Sequence, residues 1–365
     1  MSRIAHQPVS EGKIEVTEQP GAGMKADIAE QPEVFARLLE QQAGVIGEVA
    51  AKIAQWRPRS VVFTARGTSD HAALYAAYLT EIRLGIPVGL ASPSAMTLYG
   101  ARPDLRDTLV VGVSQSGGSP DLHEVLRVAR EQGAHTLAVT NNPESPLAQV
   151  AELHIDVAAG HEVAVAATKT YTAELLALLM LVESVRGGGA LPAGELDALR
   201  ALPGHAEALL ADDTVVDLAA RYRFAARLVT TGRGYAYPTA RETALKLMET
   251  CYLAGLAFSG ADLLHGPLAM TDPDVPVLAV VGNGPAGESM RDVVARLGER
   301  RADTVVFGPN AVEGAKGWVR TPDVDERYAP LLDILPLQRL ALSLALLRGE
   351  NPDAPRGLKK VTTTL

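Results

Sequence analysis

The run Thr108-Leu109-Val110-Val111-Gly112-Val113-Ser114-Gln115-Ser116-Gly117-Gly118-Ser119-Pro120-Asp121 reads as a strand, a turn and the start of a helix. Thr108–Val113 is rich in β-branched residues, as strands are. Ser114 to Ser119 is a turn of hydroxyls and glycines. Pro120 fits the first position of a helix, where a missing N–H costs nothing, and Asp121 suits the helix's positive end. Strand, turn and helix in this order form the unit of a parallel α/β sheet, whose ligands bind at the carboxyl ends of the strands.

Working outward, the same alternation recurs. The short runs Ser60–Thr64, His135–Thr140 and His154–Val157 are separated by helical patterns. Two helical segments precede them, near Ala26–Glu40 and Gln42–Gln55, with Val34, Leu38, Val45 and Val49 at helical spacing. Residues 1–24 are polar and aperiodic and read as a flexible N-terminal arm. Arg186-Gly187-Gly188-Gly189 interrupts the pattern, which resumes at Arg227–Thr231, Val277–Val281 and Thr304–Phe307. An offset of 167 lays Phe63–Gly67 over Thr230–Gly234, Gly117 over Gly284, and Leu137–Thr140 over Thr304–Phe307. Three landmarks in one register indicate a duplicated α/β unit, with the first copy at 25–190 and the second at 191–365. The hydroxyls are concentrated in the first copy: Ser114-Gln115-Ser116 faces Val281-Gly282-Asn283 in the second.

Composition narrows the function. A chain of 365 residues, 47% hydrophobic, buries one large core or two ordinary ones. A net charge of −9 argues against nucleic-acid binding, which needs a basic face. One cysteine, Cys251, excludes an intrachain disulfide and a Cys-based zinc site, and the eight histidines form no metal-binding pair. No signal-peptide pattern opens the chain, and the apolar stretch Tyr171–Val185 is interrupted by Glu174 and Glu183. The expectation is a soluble, cytoplasmic protein with no membrane span, metal or organic cofactor.

Two turns of the first copy, Gly67-Thr68-Ser69-Asp70-His71 and Ser114–Asp121, place hydroxyls and free backbone N–H groups at helix starts, a setting suited to a phosphate dianion. The plainer alternative is that Ser69 and Ser119 only cap their helices. Two such turns in adjacent strand–helix loops favour phosphate. In the second copy Glu242, Lys246 and Glu249 share one helical face. That spacing is common on solvated surfaces, yet the neighbours Ala240, Ala244, Leu245, Leu247 and Leu253 are apolar enough to bury the face. Buried charges need partners or a task. His265 stands in the turn Leu264-His265-Gly266-Pro267, and Lys360 in a basic C-terminal tail. A glutamate and a histidine within reach of one sugar could share proton abstraction and ring opening, and a lysine held in a pocket could add to a carbonyl.

These pieces occur in an order that resembles the sugar-isomerase (SIS) half of glucosamine-6-phosphate synthase. They are Gly67-Thr68-Ser69, Ser114-Gln115-Ser116-Gly117, Glu162 through Lys169, Gly232-Arg233-Gly234 through Leu247, His265-Gly266-Pro267-Leu268, and Lys360. The resemblance runs from about residue 25 to the C-terminus. It implies two tandem SIS subdomains, each a flavodoxin-like parallel sheet flanked by helices, in a homodimer. It further implies that Ser114, Gln115, Ser116 and Ser119 hold a sugar phosphate, with Thr68 and Ser69 in the same pocket and Gly67, Val165 and Ala167 lining it. Glu249 corresponds to the base acting between C1 and C2, and Lys246 and Glu242 to its polar neighbours. His265 corresponds to the ring-opening group, reaching the pocket from the neighbouring subunit, and Lys360 to the Schiff-base lysine.

Departures shape the functional expectation. The chain opens Met1-Ser2 where the synthase's glutaminase part needs a nucleophilic cysteine, so glutamine hydrolysis by that route is not expected. Ser116-Gly117-Gly118-Ser119-Pro120-Asp121 is closer to stand-alone SIS-type glucosamine-6-phosphate deaminases, and Ala167 replaces a serine that contacts sugar in the synthase. The expected substrate is a phosphorylated amino sugar, deaminated from glucosamine 6-phosphate to fructose 6-phosphate and ammonia without a cofactor. Galactosamine 6-phosphate, a fructosamine 6-phosphate-type adduct and plain aldose–ketose isomerisation keep the same fold. A non-catalytic sugar-phosphate sensor is the reading from another class, and the short acidic-to-neutral arm is too small for its usual DNA-binding helix-turn-helix.

Overall fold

The computed structural model describes residues 19–360; the first eighteen residues of the expected arm and the end of the tail, Thr362 to Leu365 included, lie outside the described residues. Two parallel five-stranded sheets organise the chain. The first contains β1 (Ser60–Thr64), β2 (Val88–Leu90), β3 (Thr108–Ser114), β4 (His135–Thr140) and β5 (Leu153–Asp156), in the order β2-β1-β3-β4-β5. The second contains β6 (Arg227–Gly232), β7 (Ala254–Ser259), β8 (Pro276–Val280), β9 (Asp303–Gly308) and β10 (Gly317–Arg320), in the order β10-β9-β8-β6-β7. Read from its own first strand, each sheet has the flavodoxin-like order 2-1-3-4-5, which reverses direction between its first and third strands. The 167-residue offset carries β1, β2, β3 and β4 onto β6, β7, β8 and β9 in turn, and slips only at the outer pair β5 and β10.

The central strand β3 is buried along its whole length, as parallel strands covered by helices on both faces are. Two long helices form the spine between the sheets. Lys169–Arg186 is buried from Lys169 to Ser184. Ala329–Leu347, longer than the apolar stretch singled out in the sequence, has the length and hydropathy of a membrane span, but 78% of its most apolar window is buried inside the protein. It packs against Ala236–Cys251, which also lies against Thr68–Leu79. That last contact sets the charged helix of the second copy beside the first copy's turn.

Three expectations need correction. Residues 22–24, read as part of the arm, open the helix Ala22–Ala29, and Gly23 and Met24 are buried. The Asp353 carboxylate explains the helix start, accepting the Gly23 and Met24 N–H groups at 3.0 and 2.7 Å from the far end of the chain. The single helix expected over Ala26–Glu40 is two, Ala22–Ala29 and Gln31–Gln41, because Pro32 fits only a first turn. Residues 348–360, grouped with the second copy, bridge the two: Arg348 and Arg356 bond to Ala225 and Tyr252 of the second, while Asp353 and Lys360 reach the first at this helix and at Ala164.

Candidate functional site

The strand order reverses between β1 and β3, and the loops leaving these strands border a cavity of about 340 Å³. Gly67 starts the first turn with φ 57°, a backbone region open to glycine, and Thr68–Leu79 begins directly after it. In the second turn the Ser114 hydroxyl accepts the Gly117 N–H at 3.1 Å and the Ser116 hydroxyl accepts the Gly118 N–H at 3.2 Å. Gly117 has φ 61°, and a Cβ there would fall 2.2 Å from the Ser145 hydroxyl. Neither Ser69 nor Ser119 caps its helix: Ser119 makes no side-chain cap bond before Pro120–Glu131, and Ser69 lies within the first turn of its own helix. The capping alternative is therefore set aside. Ser69 instead donates to the buried Glu174 at 2.8 Å. Burial pushes the Glu174 carboxyl well above its ordinary range, against the lowering effect of that hydroxyl.

Thr68, Ser69, Ser114, Gln115, Ser116 and Ser119 line one side of the cavity, with Gly67 at its edge. Glu249, Val165, Ala167 and Lys360 also line it. Behind this wall runs a chain of polar contacts joining the two copies. His71 Nδ1 lies 2.7 Å from Glu242, Thr68 donates to Glu242 at 3.1 Å, and Lys246 Nζ donates to Thr68 at 3.0 Å and to Glu249 at 2.6 Å. Lys246 and Glu242 are buried, so the helix face is not a solvated one. Burial alone would lower the Lys246 ammonium, but Glu242 and Glu249 outweigh it and hold the group above its usual range, as a cation.

Lys360 differs. Its amine donates to the Ala164 carbonyl and lies 3.8 Å from Glu162. Burial dominates here and lowers its pKa, with Glu162 and Asp27 opposing. A lysine shifted this way has more of its free base available for attack on a carbonyl. The loop carrying Val165 and Ala167 is tied down on either side. Asp27 accepts the Val163 and Ala164 N–H groups at 3.0 and 2.8 Å, and Glu162 accepts the Thr168 N–H at 2.6 Å.

His265 is the one expected site residue that lies apart from this arrangement: it is exposed at the end of Gly260–Leu264 and does not line the cavity. Arg66, Leu358 and Lys359 line it without having been singled out in the sequence. Arg66 had a signal, since Arg233 holds the equivalent position in the second copy. Glu162 stood in the motif running to Lys169, but the support from Asp27 and Glu174 had no signal, because it joins segments more than a hundred residues apart. Among the described residues, no group of three His, Cys, Asp or Glu side chains could hold a metal ion.

The model of the SIS domain matches residues 52–184 and again 222–348. The chain is 34% identical over 376 residues to the glutamine–fructose-6-phosphate aminotransferase of Thermococcus kodakarensis, covering 99% of this chain and 62% of the relative. It is 36% identical over 347 residues to that of Methanothermobacter thermautotrophicus, covering 93% and 57%. The chain thus spans about three fifths of the length of the curated relatives it matches. A solved structure from Silicibacter pomeroyi, described as a candidate phosphosugar isomerase, superposes with a TM-score of 0.83 at 34% identity, covering 91% of this chain and 99% of that one. Glucosamine-6-phosphate deaminase from Thermotoga maritima shares the fold, with a TM-score of 0.73 at 20% identity, over 94% of this chain and 100% of that one. Two matches to one domain model, laid on two sheets of identical strand order, make this chain a member of the SIS domain family with two tandem copies.

Proposed function

We propose that this chain is an amino-sugar-phosphate deaminase/isomerase that converts glucosamine 6-phosphate and water to fructose 6-phosphate and ammonia. The observation that carries the reading is the meeting, in one cavity, of a hydroxyl and amide turn with Glu249 and Lys360. The turn suits the phosphate, remote from the reacting carbons, and anchors the sugar so that C1 and C2 face the carboxylate. His265 of a second copy opens the ring, a role suggested by its exposure outside its own chain's cavity and by the family resemblance. Glu249, paired with the Lys246 cation, takes the proton from C2 and returns it at C1. The aldehyde then becomes an alcohol carbon and C2 becomes an imine, which water hydrolyses to the ketone with release of ammonia. Lys360 is assigned to the open-chain carbonyl, as nucleophile or as charge partner. The homodimer belongs to this proposal.

Ala167, a methyl where the resemblance expects a sugar-contacting hydroxyl, favours as second reading the same chemistry on another phosphorylated sugar. The test is ammonia and fructose 6-phosphate measured together from glucosamine 6-phosphate, with galactosamine 6-phosphate as the second substrate. Equal release of both products from the first supports the proposal. Silence with both, from protein that sugar phosphates still stabilise thermally, overturns the deaminase assignment and retains the phosphate site. Glu249→Gln should lower turnover by about 10²–10⁴-fold, the range for loss of a positioned general base. Thermal stabilisation by the sugar phosphate should persist in that variant. Loss of binding in a folded Glu249→Gln protein would count against the role given to Glu249.

A further inference from the structure

The hydroxyls and backbone amides of the turn are neutral, and the Lys246 charge is taken up by Glu242 and Glu249. Lys359 and Lys360 line the cavity from the C-terminal tail, and a phosphate dianion at the turn is further stabilised by a cation on the strand loops themselves. Arg66 stands there, in the loop that follows β1, and crosses the gap between β1 and β3 to the helix that follows β3. Its Nε and Nη2 both lie 2.8 Å from Asp121 Oδ2, and Nη1 makes no bond among the described residues. Asp121 is buried while half of the Arg66 side chain is exposed. One edge of the guanidinium is thus fixed to a rigid helix start and the other is left for a ligand.

The second copy shows what this arrangement accommodates. Arg233 occupies the place of Arg66 and likewise reaches across to the following helix, donating to Ser289. At its turn, Gly284, the counterpart of Gly117, faces the Glu326 carboxylate so closely that a Cβ there would come within 2.8 Å of it. Glu326 also accepts the N–H of Ala286, the counterpart of Ser119. Arg233 and Glu326 border the same space, a cavity of about 10 Å³, against about 340 Å³ in the first copy. The second copy carries its own carboxylate beside this turn, where the first copy has the Ser145 hydroxyl at Gly117 and borders the larger cavity.

We propose that Arg66, fixed by Asp121, is the cationic ligand of the substrate's phosphate, acting together with the hydroxyl and amide turn beside it. The inference rests on the phosphate-site reading above. It makes Arg66 a residue that selects for phosphorylated ligands, since an uncharged sugar gains nothing from the guanidinium. The exposed edge presents N–H donors to phosphate oxygens in a geometry that a lysine does not reproduce.

The test is inorganic phosphate binding to the full chain by calorimetry, at low and high salt, for wild type, Arg66→Gln and Arg66→Lys. Arg66→Gln keeps a hydrogen-bonding amide for Asp121 and removes the charge. It should weaken phosphate binding by about 10–100-fold, as loss of a charge-assisted hydrogen bond does, and should flatten the salt dependence. Arg66→Lys should fall between the two. A folded Arg66→Gln protein that binds phosphate as wild type does, with the same salt dependence, overturns the role of Arg66 and leaves the phosphate site standing. Wild-type protein that binds no phosphate overturns both. Circular dichroism and melting of each variant separate lost binding from lost fold, and Arg66→Lys keeps the comparison available should Arg66→Gln not fold.

Discussion

Asp333 sits in the apolar helix Ala329–Leu347 with 2% of its surface exposed. Burial raises its pKa from 3.8 to about 7, the Thr321 hydroxyl offsetting a part. Lys246 is just as buried and remains charged, because Glu242 and Glu249 lie within 3.4 and 2.6 Å of it. The contrast is one of partners rather than depth. For Asp333 the folded pKa lies above the unfolded one. Its stabilising contribution is therefore full below pH 4 and is lost as pH rises through about 7. Between pH 5 and pH 8 this group should cost the wild-type protein about 2–3 kcal/mol of stability that Asp333→Asn does not lose. Urea unfolding of both proteins across that interval checks this, and parallel pH dependences would contradict the assignment. In the sequence, Asp333 looks like any polar break in an apolar run. Glu242, Lys246 and Glu249 were legible as a group because their spacing put them on one face, whereas their binding partner Thr68 could be found only through the packing of two helices.

The central strands of both sheets could be read to within a residue or two, since β-branched runs such as Ser60–Thr64 and His135–Thr140 are covered by helices and tolerate little else. The strands that escaped, Val88–Leu90, Ala254–Ser259 and Gly317–Arg320, all lie at sheet edges and each contains a glycine. An edge strand pairs on one side only, so its sequence is held to a weaker pattern. The start of the helix Ala22–Ala29 escaped for a different reason: its stabilising contacts come from Asp353 and from the loop at 163–164, neither of which is local. This helix supports the site through Asp27, which lies 3.0 Å from Lys169 Nζ as well as accepting the loop's N–H groups. Asp27→Asn keeps the shape and removes the charge that both contacts use. It should cost about 1–3 kcal/mol, the range for weakening buried hydrogen bonds to a charged group. Hydrogen exchange at Val163 and Ala164 should accelerate more than in the strands of the first sheet. Exchange that rises equally across the chain would indicate global destabilisation and leave the loop without a special dependence on Asp27.

At the scale of the whole molecule, the duplication is visible in the 167-residue register, but the division of labour between the copies is not. Val281-Gly282-Asn283 told only that hydroxyls were missing from the second copy. The structure adds that the Glu326 carboxylate lies against this turn of the second copy, accepting the Ala286 N–H. The second copy contributes instead its helix Ala236–Cys251, which brings Glu249 to the first copy's cavity. His265 then stands out as a second-copy residue that its own chain leaves facing solvent. The proposed homodimer makes a sharp demand on this residue. If each site takes Glu249 from one chain and His265 from the other, then Glu249→Gln and His265→Asn proteins, each inactive alone, should complement on mixing. Random exchange makes half the dimers mixed, and each mixed dimer carries one site with both native residues. Recovery should approach about a quarter of the wild-type specific activity for a two-fold symmetric assembly. Activity that tracks subunit exchange toward that value supports the shared site. Mixed dimers with no activity, from subunits shown to exchange, would require His265 within its own chain, and a His265→Asn protein that is active by itself would place His265 outside the reaction.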